Sequence, residues 1–411
     1  MVPFERNINA KKAFDLAETH LRDIAIPYLL TQKGTTGNTW TCSLKSDSVE
    51  KELSGGHGKG DYAKTGAIFE ALEHFYTMDR KVPQTLKSYS SVASIVENSA
   101  FKNAPYIAIL KNYLACTIST RKYFHMTKPD VVLHCPLVFS SMFYVKNPYE
   151  KDDFPYEQSN IMRYASNNGT AIGTSKEEAC LHAINELIER DSLSLFLCRH
   201  FLYDTPFKIK AVSAETLPSS MQKKVNRVST LIDAEVYILC LENDFNQPAF
   251  VAVAGKDNES IVYQGFGCSG NAYHAIDRCI SELLQGIELQ QESPENLATV
   301  AKWIEKLRYS DKLYRVAKFD ILSMKERFLY IDYKAIPSCQ SSLSVKESLD
   351  NLLNVLHAKG FDVYESSFMP SNNICMTNIF IPHFENFQLV LSGSAVVPGS
   401  RGLAYKKYAQ I

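Results

Sequence analysis

The sequence lacks the features that would place a chain in or on a membrane. No stretch approaches the roughly 18 consecutive apolar residues that a membrane-spanning helix needs. The opening residues, MVPFERNINAKKAFDLAETHLRD, carry charges throughout and no apolar centre, so they do not form a secretory signal. Basic and acidic residues nearly cancel, 44 against 45, and provide no positive field for nucleic acid or an acidic membrane. We therefore expect neither nucleic acid nor a membrane as a partner.

Paired cysteines are also missing. The ten cysteines are dispersed along the chain, and no two of them form a C-x-x-C pair. This spacing fits neither a disulfide framework nor a zinc site. It favours reduced thiols and a cytoplasmic protein.

Neither of the common nucleotide-binding motifs is present. The segment GHGKG at 56–60 lacks the Ser or Thr that follows Lys in a Walker A motif, and the earlier glycine of that motif. No G-x-G-x-x-G opens a helix after a strand. A nucleotide would therefore have to bind through other groups.

Repeats, low-complexity tracts and linkers are absent as well. A chain of 411 residues with 45% hydrophobic content can bury a large core. Its length allows one large domain or about two to three ordinary ones. Strand-like and helix-like segments are mixed throughout, which predicts an α/β fold in the broad sense, including α+β mixed sheets with helices.

Several predicted elements bear on function. Periodicity and breaker residues predict a helix over 9–31 broken near Pro27, and a glycine-rich loop before a helix at 61–79. They also predict a long helix over 271–291 and a charged helical stretch over 294–326. The predicted strands include DVVLHCPLVF, SMFYV, AEVYILCLE, PAFVAVAGK, FDVYESSFM and, near the end of the chain, FQLVLSG.

Three glutamates gather on one edge of the apolar helix in GTSKEEACLHAINELIERDSLSLF, residues 173–196. At about 100° per residue, Glu189 falls about 20° from Glu178, and Glu186 falls about 80° from it. An ordinary structural explanation is open, because Ser175-x-x-Glu178 matches a capping box and the other two could face water. His182 lies on the same edge. We interpret His182 and His57 as hydrogen-bonded structural residues, with a base or a ligand as the alternative.

Two further helices repeat this pattern. Glu70 and Glu73 lie three residues apart in GAIFEALEHF, and Arg278, Glu282 and Gln285 follow one stripe of DRCISELLQ. Carboxylates on mostly apolar helices are costly to bury unless they are paired or bind a metal. Helices that bring carboxylates to one place can hold Mg²⁺ together with substrate phosphates, which Arg and Lys side chains also bind.

The same residues resemble the YcaO-domain family. SNNGTAIGTSKEEACLHAINELIERD is similar to that family's central signature, an S-x-x-G-x-A-x-G turn followed by E-A and E-x-x-E-R. GKGDYAKTGAIFEALEHF and IDRCISELLQ are similar to its G-K-G, E-x-x-E and R-x-x-x-E-x-x-Q segments. The resemblance runs from about residue 55 to 405, so we expect a YcaO domain over 53–411 and a lead segment over 1–52 that matches no motif.

The resemblance implies a non-Walker ATP site with Mg²⁺ ions held by glutamates. It assigns metal binding to Glu70, Glu73, Glu186, Glu189 and Glu282. It assigns contacts with the nucleotide, or support of that network, to Lys59, Glu178, Arg190, Arg278 and Gln285. It identifies no catalytic base. Three positions depart from the family pattern, with Gly66 where Ser is common, His74 where Arg is common, and Thr174 where Asn is common.

The activity implied is ATP- and Mg²⁺-dependent phosphorylation of a peptide backbone amide, as in cyclodehydration of Cys, Ser or Thr to a thiazoline or oxazoline. Azoline-forming members often end in a P-x-P-x-P tail, whereas this sequence ends GLAYKKYAQI. Thioamide or amidine formation and a non-catalytic accessory role therefore stay open. A metal-dependent hydrolase that uses the same carboxylates is the alternative outside the family.

The resemblance also implies partners. These are a ribosomally made precursor peptide, an E1-like or ThiF-like leader-binding protein or a TfuA-like protein, and in some complexes a flavin-dependent dehydrogenase. The charged segment 294–326 is the predicted docking surface, with an ordinary solvated helix as the alternative.

Overall fold

The computed structural model describes residues 2–46, 49–77, 81–141, 151–255, 262–338 and 343–409. The predicted strand SMFYV lies almost entirely outside these ranges, as do the last two residues of the helix predicted over 61–79. Within the described ranges, no helix has the length and apolar character needed to cross a membrane.

Helices and strands are mixed along the whole chain, as the sequence predicts. The helices are α1 Ala10–Asp23, α2 Ala63–Thr77, α3 Val92–Glu97, α4 Ile107–Leu110, α5 Tyr156–Ser159, α6 Lys176–Leu197, α7 Ser219–Ile232, α8 Ala272–Glu292, α9 Pro294–Glu305, α10 Asp311–Lys318, α11 Val345–Ala358 and α12 Ser400–Leu403. The strands are β1 Tyr28–Lys33, β2 Thr39–Ser46, β3 Val49–Lys59, β4 Lys87–Ser91, β5 Thr117–His125, β6 Lys128–Pro136, β7 Thr170–Gly173, β8 Ile209–Val212, β9 Val236–Cys240, β10 Ala249–Ala254, β11 Tyr263–Cys268, β12 Phe328–Ile331, β13 Tyr364–Ser371 and β14 Ile374–Phe380.

The strands form three sheets. An antiparallel sheet has the order β1-β2-β3, and a second sheet has the order β11-β10-β9-β8-β12, with β12 parallel to β8. The third sheet has the order β4-β5-β13-β14-β7, and β6 pairs with β5. This architecture confirms the α/β class with mixed sheets.

The helices α2, α6 and α8, which carry the predicted site residues, each pack against an apolar core. Helix α2 packs with α1 and β2 around Leu21, Leu44 and Leu72. Helix α8 packs with α7 against β9 and β10. Helix α6 is buried along most of its length in the largest core, between the third sheet and α11. The apolar periodicity of the three helices therefore fixes which of their faces is left for other uses.

The glycine-rich segment before α2 is a strand, and the prediction of a loop is wrong. Gly56 and Gly58 alternate on β3 and face α2, so their side-chain positions are occupied by the helix. A Cβ on Gly58 would lie 1.6 Å from the carbonyl oxygen of Ala63, and one on Gly56 would lie 2.2 Å from the amide nitrogen of Ala71. Because glycine has no side chain, Gly56 and Gly58 allow α2 to pack closely on β3; they do not form a turn.

Substituting Gly58 tests this packing. We expect Gly58→Ala to destabilise the chain by about 3 kcal/mol or more, because α2 must move away from β3 to admit the methyl group. Gly286→Ala is the matched control on α8, where the nearest atom to the new Cβ, the carbonyl oxygen of Gln264, would be 3.8 Å away. This control should gain about 0.5–1 kcal/mol from helix propensity. Equal urea midpoints for the two variants would contradict the packing argument.

Other element boundaries differ from the prediction. The helix predicted over 9–31 ends at Asp23, because residues after Pro27 pair with β2 as strand β1. FQLVLSG is not a strand, since Phe387–Ser392 forms a 3₁₀ helix that ends at Gly393, with φ of 84°. The charged stretch 294–326 is helical, as predicted, but it is divided into α9, α10 and 3₁₀ turns.

Candidate functional site

Helices α2, α6 and α8 line one cavity of about 1140 Å³. Each helix is held close to a strand by glycine. Gly58 of β3 admits α2, Gly173 of β7 approaches Ala179 of α6, and Gly267 of β11 faces Ala275 of α8. In all three cases a glycine on a strand allows the following helix to approach closely, and the polar faces of the three helices meet at the cavity.

Nine of the ten predicted site residues line this cavity. They are Lys59, Glu70, Glu73, Glu178, Glu186, Glu189, Arg190, Arg278 and Glu282. Gln285 is not among the lining residues, and its Nε2 is buried without a hydrogen-bond partner among the described residues. Three residues of an α-helix turn through about 300°, so Gln285 is offset by about 60° from Glu282. That offset takes its side chain away from the cavity.

The carboxylates of α2 and α6 interact strongly. Burial raises the pKa of Glu73 well above its ordinary value, and the charges of Glu186 and Glu70 raise it further. Burial also raises the pKa of Glu186 to about 7, although Arg190 opposes the rise. For Glu189, burial and the charge of Glu282 raise the pKa. Mutual repulsion of this kind requires the acidic faces to lie close together.

Cationic side chains stand between the carboxylates. Lys59 forms an ion pair with Glu282, and Arg190 Nη1 lies 3.5 Å from Glu189 Oε1. Burial alone would raise the pKa of Glu282, but Lys59 and Arg190 outweigh it and hold the pKa below its ordinary value. Glu282 therefore ionises more readily than Glu73, Glu186 and Glu189, whose pKa values burial raises.

Glu178 is held by a network at the first turn of α6. Ser175 caps the helix by accepting a hydrogen bond from the Glu178 amide at 3.2 Å. The Glu178 carboxylate instead accepts hydrogen bonds from Thr174 Oγ1 at 2.8 Å and the Asn7 amide at 3.3 Å. Arg6 Nε lies 3.6 Å from its other oxygen. Capping by Ser175 thus leaves the carboxylate at the cavity wall.

The segment before α1 is part of this site, and the sequence gives no motif that would have found it. Val2, Phe4 and Arg6 line the cavity. Glu5 adopts a φ of 57° and accepts hydrogen bonds from Ser269 Oγ at 2.7 Å and Asn185 Nδ2 at 3.2 Å. Burial raises the pKa of Glu5. The partners lie far along the chain, so local patterns carry no signal of these contacts.

Strand β3 crosses the predicted boundary between residues 52 and 53, and β1 and β2 pair with it in one sheet. The hairpin before β3 also reaches α8. Thr39 Oγ1 donates a hydrogen bond to Glu288 at 2.6 Å, and Asn38 accepts one from the Gly60 amide at 3.1 Å. The division into a lead segment and a domain stays a prediction.

The cavity has two chemically different ends along α6. Glu178 and Leu193 are 15 residues apart, which corresponds to about 22 Å of helix. Near Glu178 lie cationic, imidazole and aromatic groups, namely Arg6, Arg278, His182, His274 and Phe4. Near Leu193 lie a polar amide and apolar side chains, namely Gln388, Leu389 and Leu391.

The two histidines at the first end are neutral near pH 7. Burial, assisted by Arg278, lowers the pKa of His182 well below its ordinary value and that of His274 to about 3. A neutral imidazole can donate one hydrogen bond and accept another. His182 and His57 both line the cavity, so each is close enough to contact a bound molecule.

The departures from the family pattern have local explanations. Gly66 lies against β3, where an added Cβ would be 3.3 Å from Gly58 Cα. His74 Nδ1 lies 2.5 Å from the carbonyl oxygen of Gly55. Thr174 supplies the hydrogen bond to Glu178 described above. All three substitutions are therefore accommodated around the carboxylates.

Fold and cavity together define an α/β protein in which glutamates from three helices surround a site with Arg and Lys. A family sequence model, described as YcaO cyclodehydratase, ATP- and Mg²⁺-binding, matches residues 55–385. The chain belongs to this YcaO family. ATP and Mg²⁺ are accordingly its cofactors.

Solved structures share this fold. A heterocyclase in complex with substrate and cofactor has a TM-score of 0.64 at 15% identity, and the match covers 92% of this chain and 52% of that one. YcaO from Methanopyrus kandleri, bound with AMPPCP and Mg²⁺, has a TM-score of 0.61 at 15% identity and 93% coverage of both chains. The E. coli microcin synthetase McbBCD complex with pro-MccB17 bound has a TM-score of 0.61 at 15% identity, covering 87% of this chain and 88% of that one.

These likenesses establish the fold, and no curated protein sequence matches the chain. The chain spans about half the length of the heterocyclase, 52%.

Proposed function

We propose that the chain activates a backbone amide of a peptide by ATP- and Mg²⁺-dependent phosphorylation, and that the product is a thiazoline or oxazoline formed from Cys, Ser or Thr. The observation that carries the proposal is the meeting of three acidic helix faces with Lys59, Arg190 and Arg278 at one cavity. The family assignment and the heterocyclase and microcin synthetase neighbours support it.

The residues fit the two cofactors. Carboxylate oxygens are the ligands that Mg²⁺ prefers, and repulsion among unpaired carboxylates is relieved by a divalent cation. Nε of Arg278 is buried and has no hydrogen-bond partner among the described residues, which leaves a donor for phosphate. When bound, ATP with Mg²⁺ supplies the phosphoryl group that turns a poor leaving group, the amide oxygen, into a good one.

We propose distinct roles for the lining residues. Glu70, Glu73, Glu186, Glu189 and Glu282 hold Mg²⁺. Lys59, Arg190 and Arg278 bind phosphate oxygens. Glu178 orients Arg6 at the end of the cavity where Arg278 lies. Gln285 lies on α8 outside the cavity and is assigned no contact with the nucleotide. No residue is assigned as the catalytic base.

The substrate and partners are also proposals. The amide belongs to a precursor peptide, delivered by an E1-like, ThiF-like or TfuA-like protein, and a flavin-dependent dehydrogenase can act in the same complex. The complexes named for the structural neighbours, with substrate and with pro-MccB17, support an enzyme that acts on a peptide. We expect the isolated chain to turn over ATP slowly and its partner to raise the rate by positioning the amide.

Co-expression with the small peptides and proteins encoded beside this gene tests the reaction. We expect mass spectrometry to find peptide that has lost one water per modified Cys, Ser or Thr. Replacement of oxygen by sulfur would indicate a thioamide, and an intact peptide with ATP still bound would indicate an accessory subunit. A chain that binds Mg²⁺ but no nucleotide would favour the metal-dependent hydrolase instead.

A further inference from the structure

An exposed apolar face adjoins the second end of the cavity. Val300 and Trp303 of α9 are 37% and 45% exposed, and their spacing of three residues places them on one face of the helix. Val300 also lines the cavity, so this face continues the cavity wall out to the surface. We call this exposed face of Val300 and Trp303 the α9 rim.

Gly393 packs closely against the backbone and Cβ of Trp303. Gly393 has a φ of 84°, and a Cβ added to it would lie 2.7 Å from Trp303 Cβ. The preceding residues Leu391 and Ser392 line the cavity. The tryptophan therefore stands directly beside the point where the cavity wall ends.

The apolar stripe of α9 runs from the core to the α9 rim. Ile304 packs against the largest core, and Leu307 in the following turn is 2% exposed. Ile304 and Leu307 anchor the C-terminal end of α9 in the core, whereas the side chains of Val300 and Trp303 remain exposed to solvent. Anchoring at one end means that the exposed residues are held in place before any ligand arrives, which lowers the entropy lost on binding.

The cavity has room for a second ligand at this end. Its volume, about 1140 Å³, exceeds the range of about 300–1,000 Å³ typical of small-molecule pockets. The carboxylates that suit Mg²⁺ and the cations that suit phosphates lie on or beside the first and middle part of α6. Apolar Leu193, Leu389 and Leu391 occupy the other end beside the amide of Gln388, and none of these four side chains carries a charge.

We propose that the peptide substrate enters and leaves the cavity across the α9 rim, so that Val300 and Trp303 bind residues flanking the activated amide. This inference rests on the proposed function, because a peptide is a polymer whose flanking residues must extend beyond a site that holds one amide. The ligand chemistry is an uncharged stretch of peptide with an aliphatic or aromatic side chain, which packs on the indole ring. A folded partner protein on the same face is the competing occupant.

A random-sequence peptide library displayed on phage is the probe, selected against the full chain with Mg²⁺ and ATP. The chain has two tryptophans, and Trp40→Phe leaves Trp303 as the only indole reporter. We expect selected peptides to shift the emission of this reporter. They should bind Trp303→Ala about tenfold more weakly, as for an interface anchor. Val300→Glu changes an exposed position and should also weaken peptide binding. It provides the test if Trp303→Ala folds poorly.

Tyr309→Ala is the matched control, because Tyr309 is 74% exposed close to α9 but does not line the cavity. Its peptide affinity should equal that of the wild type. Equal affinity of wild type, Trp303→Ala and Val300→Glu would overturn the proposal, as would selection of no peptide by a chain that binds ATP. Failure of the wild-type chain to bind ATP would instead reject the proposed function.

Discussion

Glu189→Gln is expected to lower ATP turnover by about a thousandfold or more while the metal-free protein keeps its stability. The thousandfold figure corresponds to about 4 kcal/mol of charge stabilisation supplied by the metal ions that this carboxylate would help to hold. Glu189 is buried, and burial with the charge of Glu282 raises its pKa. Its ionised form is therefore less stable in the folded chain than in water, so a neutral amide should leave the melting temperature unchanged or higher.

Glu177→Gln is the matched control for this experiment. Glu177 lies in the first turn of α6, on the same helix, but does not line the cavity. Its turnover should be that of the wild type. The measurements are phosphate release with Mg²⁺ and ATP and thermal unfolding without Mg²⁺. Large destabilisation of Glu189→Gln with activity retained would show that Glu189 serves a structural ion pair with Arg190.

The fold is predictable from the sequence where periodicity is long and consistent. Helices α6 and α8 are found close to their predicted bounds, because each has an apolar stripe over about six turns and a capping residue, Ser175 and Asn271. The error at β3 has a physical cause. Glycine usually marks a turn, and only the position of α2 reveals that Gly56 and Gly58 are needed for contact.

The site is predictable where one helix carries several of its residues. Glu178, Glu186 and Glu189 share an edge of α6 by helical geometry alone, and the structure places all three at the cavity. That they would meet Glu70 and Glu282 depends on contacts between distant parts of the chain, such as the ion pair of Lys59 with Glu282. Arg6 shows the limit most clearly, since it reaches Glu178 across 172 positions without any local pattern.

We expect the affinity for Mg²⁺ to depend on pH through Glu186, because burial raises the pKa of this carboxyl to about 7. The protonated carboxyl is favoured in the folded metal-free chain. The contribution of this group to stability is thus fully present below its ordinary pKa of 4.5 and is lost as pH rises through about 7. The loss amounts to roughly 3 kcal/mol, because each pKa unit between 4.5 and about 7 corresponds to about 1.36 kcal/mol.

Because Mg²⁺ binds the ionised carboxylate, the metal must displace that proton below about pH 7. We expect the affinity for Mg²⁺ to rise about tenfold per pH unit below this point for each proton released, and to level off above it. Calorimetric titration of Mg²⁺ in two buffers of different ionisation enthalpy counts the protons. Glu186→Gln should release about one proton fewer, whereas Glu177→Gln should match the wild type. An affinity that stays constant between about pH 5.5 and 7.5 would contradict a role for Glu186 in holding the ion.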